Sequence, residues 1–376
     1  MYQISIQLKG DVSISYIAVK HIAFAFTSSN SSEPLISSKQ IEFSHSPNTD
    51  PITDFHINIT IVKSNIAVSS FSFNDHNVTV VSPTRFISRF KDVPVLTDGA
   101  QVVPAANFYK SIIREPEVAL KLRGSYVIST SVAQGTPKEF EFMINFPGLN
   151  RFNGIPYKVT SFDITGATPE KMICAISGIM ENPTGLEASV GNLVFNIIFA
   201  DKRVGTVLIP NLNLINRVNT INASMNFDPQ GEELTAANEL IKAYVEQKPS
   251  KLTAIGSYNT TDIDLLKPAL NGWNIMVSLP SLKESFISRI DAFPTMGYFI
   301  NHLAKAHVKI NNMFSVPIVF NRVNGYILIE NKVKMDFDIN FGGSIIPPKQ
   351  RSNLPPIELR VPFRPIFLYN RNFKVS

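Results

Sequence analysis

The sequence predicts an all-β fold with minor helix, built as tandem antiparallel β-sandwich units that each pack one helix. Three observations predict it. Strand-length segments alternate polar and apolar residues at the period of a half-buried strand, and Lys332 to Phe341 does so without a break. The chain also repeats itself. Met143-Ile144-Asn145-Phe146-Pro147-Gly148-Leu149 returns as Met276-Val277-Ser278-Leu279-Pro280-Ser281-Leu282, an offset of 133 (276 less 143). Pro116 and Gly124-Ser125-Tyr126 return as Pro249 and Gly256-Ser257-Tyr258, at 133 and 132. Such a period is too long for a solenoid and has the size of a whole domain. Helical spacing, the third observation, is confined to one place in each unit.

Taken in order, Ile57 to Ile61, Glu139 to Phe146 and Ile221 to Phe227 alternate as strands with one wet face. Leu193 to Phe199 is apolar on both faces, which predicts a central strand covered on both sides. Between Asp228-Pro229 and Pro249, the residues Leu234, Ala237, Ile241, Tyr244 and Val245 share one helical face. Glu233, Glu239, Lys242 and Glu246 take the other. In the first unit Pro104 and Pro116 bracket a shorter run, whose Ala105, Phe108 and Ile112 sit 133 residues before Asn238, Ile241 and Val245. Ser28 to Ser38 and Pro347 to Pro356 read as loops, being rich in Ser, Asn and Pro. Breaks near Asn150 to Gly154 and Glu284 to Thr295 divide the chain into a first, degenerate unit at 1–150 and a second at 151–284. The remainder, 285–376, is either a partial third unit or strands completing an earlier sheet.

Composition narrows the function. Hydrophobic residues make up 44% of the 376 and charged residues 17%, which specifies a folded chain rather than a disordered one. The net charge is only +5 and Lys and Arg are scattered, so no nucleic-acid partner is expected. The single cysteine, Cys174, permits no intrachain disulfide and reads as a small buried hydrophobe. Met1-Tyr2-Gln3-Ile4-Ser5 begins polar, with no signal peptide legible and no apolar window long enough to span a bilayer as a helix. The chain enters strand-like sequence at once, which is compatible with a missing upstream segment.

Reactive constellations are thin. Of His21, His45, His56, His76, His302 and His307, no two have metal-ligand spacing; His302 and His307 would fall on different faces of a helix. Carboxylates pair two apart at Glu139/Glu141, Asp262/Asp264 and Asp336/Asp338, a spacing usable for acid–base work but expected on any solvated sheet face. No phosphate loop, nucleophile elbow or zinc-protease motif is present. The expectation is therefore no enzyme, no catalytic residue, no metal and no cofactor. Glycosylation sequons occur at Asn30, Asn58, Asn77, Asn222 and Asn259. The C-terminal run from Arg360 through Phe363, Arg364, Phe367, Tyr369 and Arg371 to Lys374 interleaves basic and aromatic residues, which suits either an anionic membrane surface or an ordinary terminal strand.

A family resemblance rests on Ile176-Ser177-Gly178-Ile179-Met180-Glu181-Asn182-Pro183-Thr184-Gly185-Leu186-Glu187, Leu193-Val194-Phe195, Val204-Gly205-Thr206 and Ile209-Pro210. A strand running into Asn-Pro, then a strand, a turn and Val-Gly resembles the type-2 late-embryogenesis-abundant domain, especially its fungal branch of unknown function. The resemblance covers about residues 140–286; the first unit shares it only through the repeat, with Asn65-Ile66 in the slot of Asn182-Pro183. It implies an immunoglobulin-like sandwich with a helix, tandem copies in the vacuolar or other endomembrane lumen of a membrane-anchored protein, and a role in binding or moving lipid. Asn182 and Pro183 are then structural, and no catalytic residues carry over.

The residues and the resemblance together lead to an expectation of a non-enzymatic lumenal module that binds lipid or a membrane surface. Leu234, Ile241, Tyr244 and Val245 of the helix and Phe195 and Phe199 of the doubly apolar strand are the candidates to face an acyl chain. The alternative is a purely structural array of sandwiches that displays surfaces to protein partners.

Overall fold

A computed structural model describes residues 4–7, 14–26, 33–45, 52–76, 78–82, 84–97, 102–150, 157–182, 187–215, 217–294, 303–329, 333–360 and 374–375. The fold is all-β with minor helix. Its N-terminal part comprises β1 (Ile4–Gln7), β2 (Ile14–Ala25), β3 (Leu35–His45), β4 (Ile52–Lys63), β5 (Ile66–Asp75), β6 (Thr79–Ser82), β7 (Arg85–Pro94), α1 (Val102–Arg114), β8 (Glu117–Thr130) and β9 (Lys138–Pro147). The sheet β2-β3-β7-β6 packs on the sheet β5-β4-β8-β9. Between them sit Phe43, Phe55 and Phe86, fully buried, with ring centroids 4.5 Å (Phe43–Phe55), 4.9 Å (Phe43–Phe86) and 5.2 Å (Phe55–Phe86) apart. Inward aromatics at alternate strand positions supply most of the apolar area that such a sandwich buries.

The middle part comprises β10 (Tyr157–Ala167), β11 (Met172–Asn182), β12 (Glu187–Phe199), β13 (Lys202–Leu214), β14 (Arg217–Phe227), α2 (Glu233–Val245), β15 (Ser250–Ile255), α3 (Lys267–Leu270) and β16 (Asn274–Leu279). Its strands run in the order β10-β11-β14-β13-β12-β15-β16, and β10 comes back to lie alongside β16. Here β13 pairs with both β12 and β14, so the two faces are one curled sheet. The N-terminal and middle parts join edge to edge: β12 pairs parallel with β2 through Glu187–Ala23, Ala188–Phe24 and Ser189–Ala25. Arg114 at the end of α1 ties the junction, donating from Nε to the Ala269 carbonyl at 2.9 Å and from its guanidinium to that of Asn271.

The strand register recurs between these parts. β8 and β9 pair Val118 with Phe146, Leu120 with Ile144 and Lys121 with Met143. β15 and β16 pair Ser250 with Leu279, Leu252 with Val277 and Thr253 with Met276, the same partners displaced by 132 and 133. The β4–β5 turn, Ser64-Asn65, and the β12–β13 turn, Ala200-Asp201, both place two residues at positive φ, between 47° and 64°. That backbone belongs to the type I′ hairpin, whose twist matches that of the strands. Asn65 therefore occupies the place of Asp201, not the Asn182 slot expected for it.

The helices correct the sequence reading in two ways. α1 buries Ala105, Ala106, Tyr109 and Ile113, and α2 buries Ala236, Ala237, Leu240 and Tyr244, so the helices correspond at 131 rather than 133. The connection from α2 to β15, with Gln247 at φ 59°, absorbs one residue, and the connection from β15 to β16 absorbs the other. The buried stripe of α2 is also rotated from the one expected. Ala236-Ala237 lets the helix approach the sheet closely, which leaves Leu234 49% and Ile241 40% exposed. One packed helix per unit is also too few for the middle part, where α3 adds a single turn.

Three further expectations shift. Val194 is 40% exposed while Leu193, Phe195 and Ile197 are buried, so β12 is covered on one face here rather than two. The presumed loop Ser28–Ser38 ends inside β3. The presumed loop Pro347–Pro356 contains β21 (Arg351–Asn353), and the break at Glu284–Thr295 contains β17 (Ile287–Pro294).

The C-terminal part adds, around those two strands, β18 (Leu303–Asn311), β19 (Ile318–Ile329), β20 (Val333–Ile346), β22 (Ile357–Arg360) and β23 (Lys374–Val375). β18 pairs with β17, β21 and β22, while β19 forms a hairpin with β20 and also pairs with β23. Ala306, Val308, Ile310, Phe341, Ile346, Leu354 and Ile357 form a small core of its own. Among the described residues its strands pair only with one another.

Candidate functional site: an apolar cavity beneath the second helix

The curl of β10, β11 and β14 leaves a hollow that α2 roofs along its C-terminal half. Phe162, Met172, Cys174, Met225 and Phe227 rise from the sheet, Leu240, Ile241, Tyr244 and Val245 descend from the helix, and Leu252 and Leu279 close one side. The far wall comes from the C-terminal part, where Phe314, Val316 and Ile318 lie between β18 and the body of β19. Together they line a half-open cavity of about 350 Å³. No lining side chain carries charge, and the Tyr244 hydroxyl and Cys174 thiol are its polar groups. The mouth is rimmed by Ile241 and by Val319, which is 52% exposed and directly opposite Ile345 on the hairpin.

The far wall is held by polar bonds. Asn312, fully buried, donates from Nδ2 to the carbonyls of Val316 (2.8 Å), Ile346 (3.1 Å) and Pro347 (3.0 Å), and its Oδ1 accepts from the Phe314 N–H at 2.9 Å. A buried amide is tolerated only when so satisfied. Across the hollow, Asp163 of β10 accepts from the Ser315 N–H (3.0 Å) and Oγ (2.6 Å) and from Lys349 Nζ (2.9 Å). Tyr244 stacks on Phe314 with centroids 6.4 Å apart and meets Phe162 edge-on at 5.3 Å.

Ionisation follows this geometry. Burial pushes Asp163 up, but the bonds from Ser315 and Lys349 outweigh it and hold the carboxyl below its ordinary value. Burial, helped by the Asp163 charge, pushes the Cys174 thiol up to about 12. Burial likewise pushes the Tyr244 phenol up to about 12. Both wall groups are therefore protonated and neutral near pH 7, and the cavity is uncharged.

Of the residues expected to face an acyl chain, Ile241, Tyr244 and Val245 line this cavity. Leu234 lies on the outward side of α2, and Phe195 is buried instead against Trp273, at 5.9 Å. Phe199 packs at the margin of the main core. The sequence carried no signal for Phe314, Val316 and Ile318, which follow a buried Asn in a connecting segment.

Elsewhere, Asn58, Asn222 and Asn259 are exposed, while Asn30 and Asn77 lie outside the described residues. Asn182 is buried and donates to the Ile215 carbonyl at 3.2 Å; Pro183 lies outside the described residues. Among the carboxylate pairs, Glu141 meets Lys121 at 3.0 Å, Asp264 meets Lys267 at 2.6 Å and Asp338 meets Arg322, all as exposed ion pairs. Asp262 and Asp264 stand in a turn rather than on a strand. Among the described residues no group of three or more His, Cys, Asp or Glu could hold a metal ion. His307 lies on the strand β18, not on a helix, and His302 lies outside the described residues. Most of the basic-aromatic run, residues 361–373, also lies outside the described residues. None of the helices described is long and apolar enough to cross a membrane.

Residues 64–197 match a protein family of unknown function, DUF3712. The match opens in the β4–β5 turn and stops at Ile197, three residues short of the equivalent β12–β13 turn, so it spans one period of the recurrent register. No curated protein matches the chain.

Proposed function

We propose that this chain is a non-enzymatic binding module that holds an apolar molecule in the cavity beneath α2. The observation that carries the reading is the cavity itself, about 350 Å³ with uncharged walls. Its size falls within the ~300–1,000 Å³ common for ligand pockets. Apolar walls hold water poorly and accept hydrocarbon. The site needs no nucleophile, base or metal to do this.

The setting we propose is the lumen of the vacuole or another endomembrane, within a membrane-anchored protein resembling fungal tandem type-2 late-embryogenesis-abundant proteins. Two observations support it: the sequence resemblance, and three exposed sequon asparagines, Asn58, Asn222 and Asn259. The recurrent pairings support a tandem organisation. The C-terminal part extends it as a partial third unit, because β17-β18-β21 and the β19–β20 hairpin retrace β10-β11-β14 and the β12–β13 hairpin.

Native mass spectrometry of the full chain purified from eukaryotic cells tests the reading. We expect a bound apolar species that organic extraction releases and that a Tyr244→Trp/Ile318→Trp double variant lacks. A folded wild-type protein that is ligand-free and takes up no added hydrocarbon would overturn it. A second reading, a sandwich array for protein partners, draws on Val194 and Leu208, paired across β12 and β13 and both partly exposed.

A further inference from the structure

The cavity's dimensions and walls restrict what it can hold. A cavity of roughly 150 Å³ takes one benzene-sized molecule, about six heavy atoms. At the same packing, the space beneath α2, about 350 Å³, takes roughly fourteen heavy atoms. That is one aliphatic chain of medium length. It is too small for both tails of a diacyl lipid or for a sterol.

The walls say where a polar end goes. Tyr244 and Cys174 are the polar side chains in the lining, and both are neutral near pH 7. Lys349, which bonds to the far-wall segment, is engaged by Asp163 at 2.9 Å and by the Met313 carbonyl at 2.7 Å. A carboxylate or phosphate drawn inside would lose its hydration with only a neutral hydroxyl and a thiol to replace it. At the mouth, by contrast, Ile241 and Val319 are 40% and 52% exposed, so a headgroup there stays in water while the chain crosses an apolar rim.

We infer that the site takes a single-chain lipid, with about fourteen chain atoms under α2 and the polar end outside the Ile241–Val319 rim. This rests on the proposed binding reading and adds a size limit and an orientation to it. It also predicts how affinity varies with chain length. Each buried methylene tightens binding about fourfold, and methylenes beyond the cavity add almost nothing.

The test is displacement of a fluorescent dodecanoic acid from the full chain by saturated fatty acids of 8 to 18 carbons and by phosphatidylcholine vesicles. Expected is roughly fourfold tightening per methylene up to about 14 carbons, then a plateau, with no displacement by the vesicles. Leu252→Trp fills the cavity and should weaken every chain at least tenfold. Where that variant fails to fold by circular dichroism, Ile318→Trp on the opposite wall replaces it. Tightening that continues to 18 carbons, or displacement by phosphatidylcholine, overturns the single-chain limit and leaves the binding reading standing. Chains that do not bind at all, or that bind folded Leu252→Trp and Ile318→Trp as well as wild type, overturn both.

Discussion

The Ser315 hydroxyl donates to the Asp163 carboxylate at 2.6 Å, joining segments 152 residues apart in the chain. With Lys349 on the same carboxylate, this bond fastens the far wall of the cavity to β10. Because Asp163 is only partly buried, solvent screens its bonds to charged and polar donors, which are expected to contribute about 1 kcal/mol. Its folded pKa lies below the unfolded value, so the contribution is present above about pH 4 and is lost as pH falls through the folded value. Asp163→Asn should therefore be less stable at pH 7 and lose less on acidification to pH 3. Urea unfolding at both pH values checks it; equal acid slopes for variant and wild type would sink the assignment.

Gly124 and Gly256 occupy recurrent positions in β8 and just after β15. A Cβ on Gly124 would collide with the carbonyl of Asn58, and one on Gly256 with that of Leu270. Backbone cannot yield as a flexible side chain can. Gly124→Ala and Gly256→Ala should each destabilise the chain by about 2–3 kcal/mol, the upper range for overpacking. By comparison Gly166→Ala, whose added methyl meets Ile173 at ordinary contact distance, should be close to neutral. Denaturant midpoints of the three variants make the comparison, and a Gly166 penalty as large as the others would refute the steric account.

The division between legible and illegible features follows from range. Strands such as Glu139–Phe146 and Val333–Phe341 are legible because a period of two is a local signal, and α2 because its helical periodicity is complete within 13 residues. The buried stripe of α2 is not legible in full, since Ala236 and Ala237 decide the approach and Leu234 does not, which only the facing sheet can show. The cavity was half legible. Ile241, Tyr244 and Val245 stood out on the helix, but Phe314 to Ile318 arrive from a distant connection positioned by Asn312 and Asp163, long-range bonds with no sequence period.

Leu252 and Phe55 separate empty space from filled space. Phe55 is fully buried between Phe43, Phe73 and Phe86, so Phe55→Ala leaves a void and should cost about 3–5 kcal/mol. Leu252 is also buried but borders the 350 Å³ cavity. Leu252→Phe grows into unoccupied volume and should change stability by less than about 1 kcal/mol. Thermal melts of the two variants check this. A Leu252→Phe loss comparable to that of Phe55→Ala would mean that the cavity is already filled by side chains.

Cys174 reports on the same space from inside. It is the single cysteine of the chain, buried on β11, with its thiol pushed up to about 12 by burial and by the Asp163 charge. Thiolate is the reactive form, so the folded protein should react with Ellman's reagent at pH 8 at least ~100-fold more slowly than the urea-unfolded chain. A raised folded pKa gives a definite sign to the pH dependence. The contribution is complete below the unfolded value of about 8.5 and is lost as pH rises toward the folded one. Tyr244, shifted the same way, adds to the loss above pH 10. Cys174→Ala should therefore soften the decline in stability between pH 9 and 11 without abolishing it. Stopped-flow labelling and urea unfolding at pH 7, 9 and 11 measure both effects. Rapid labelling of the folded protein would show that water and reagent reach Cys174, and a dry hydrocarbon site could not survive that result.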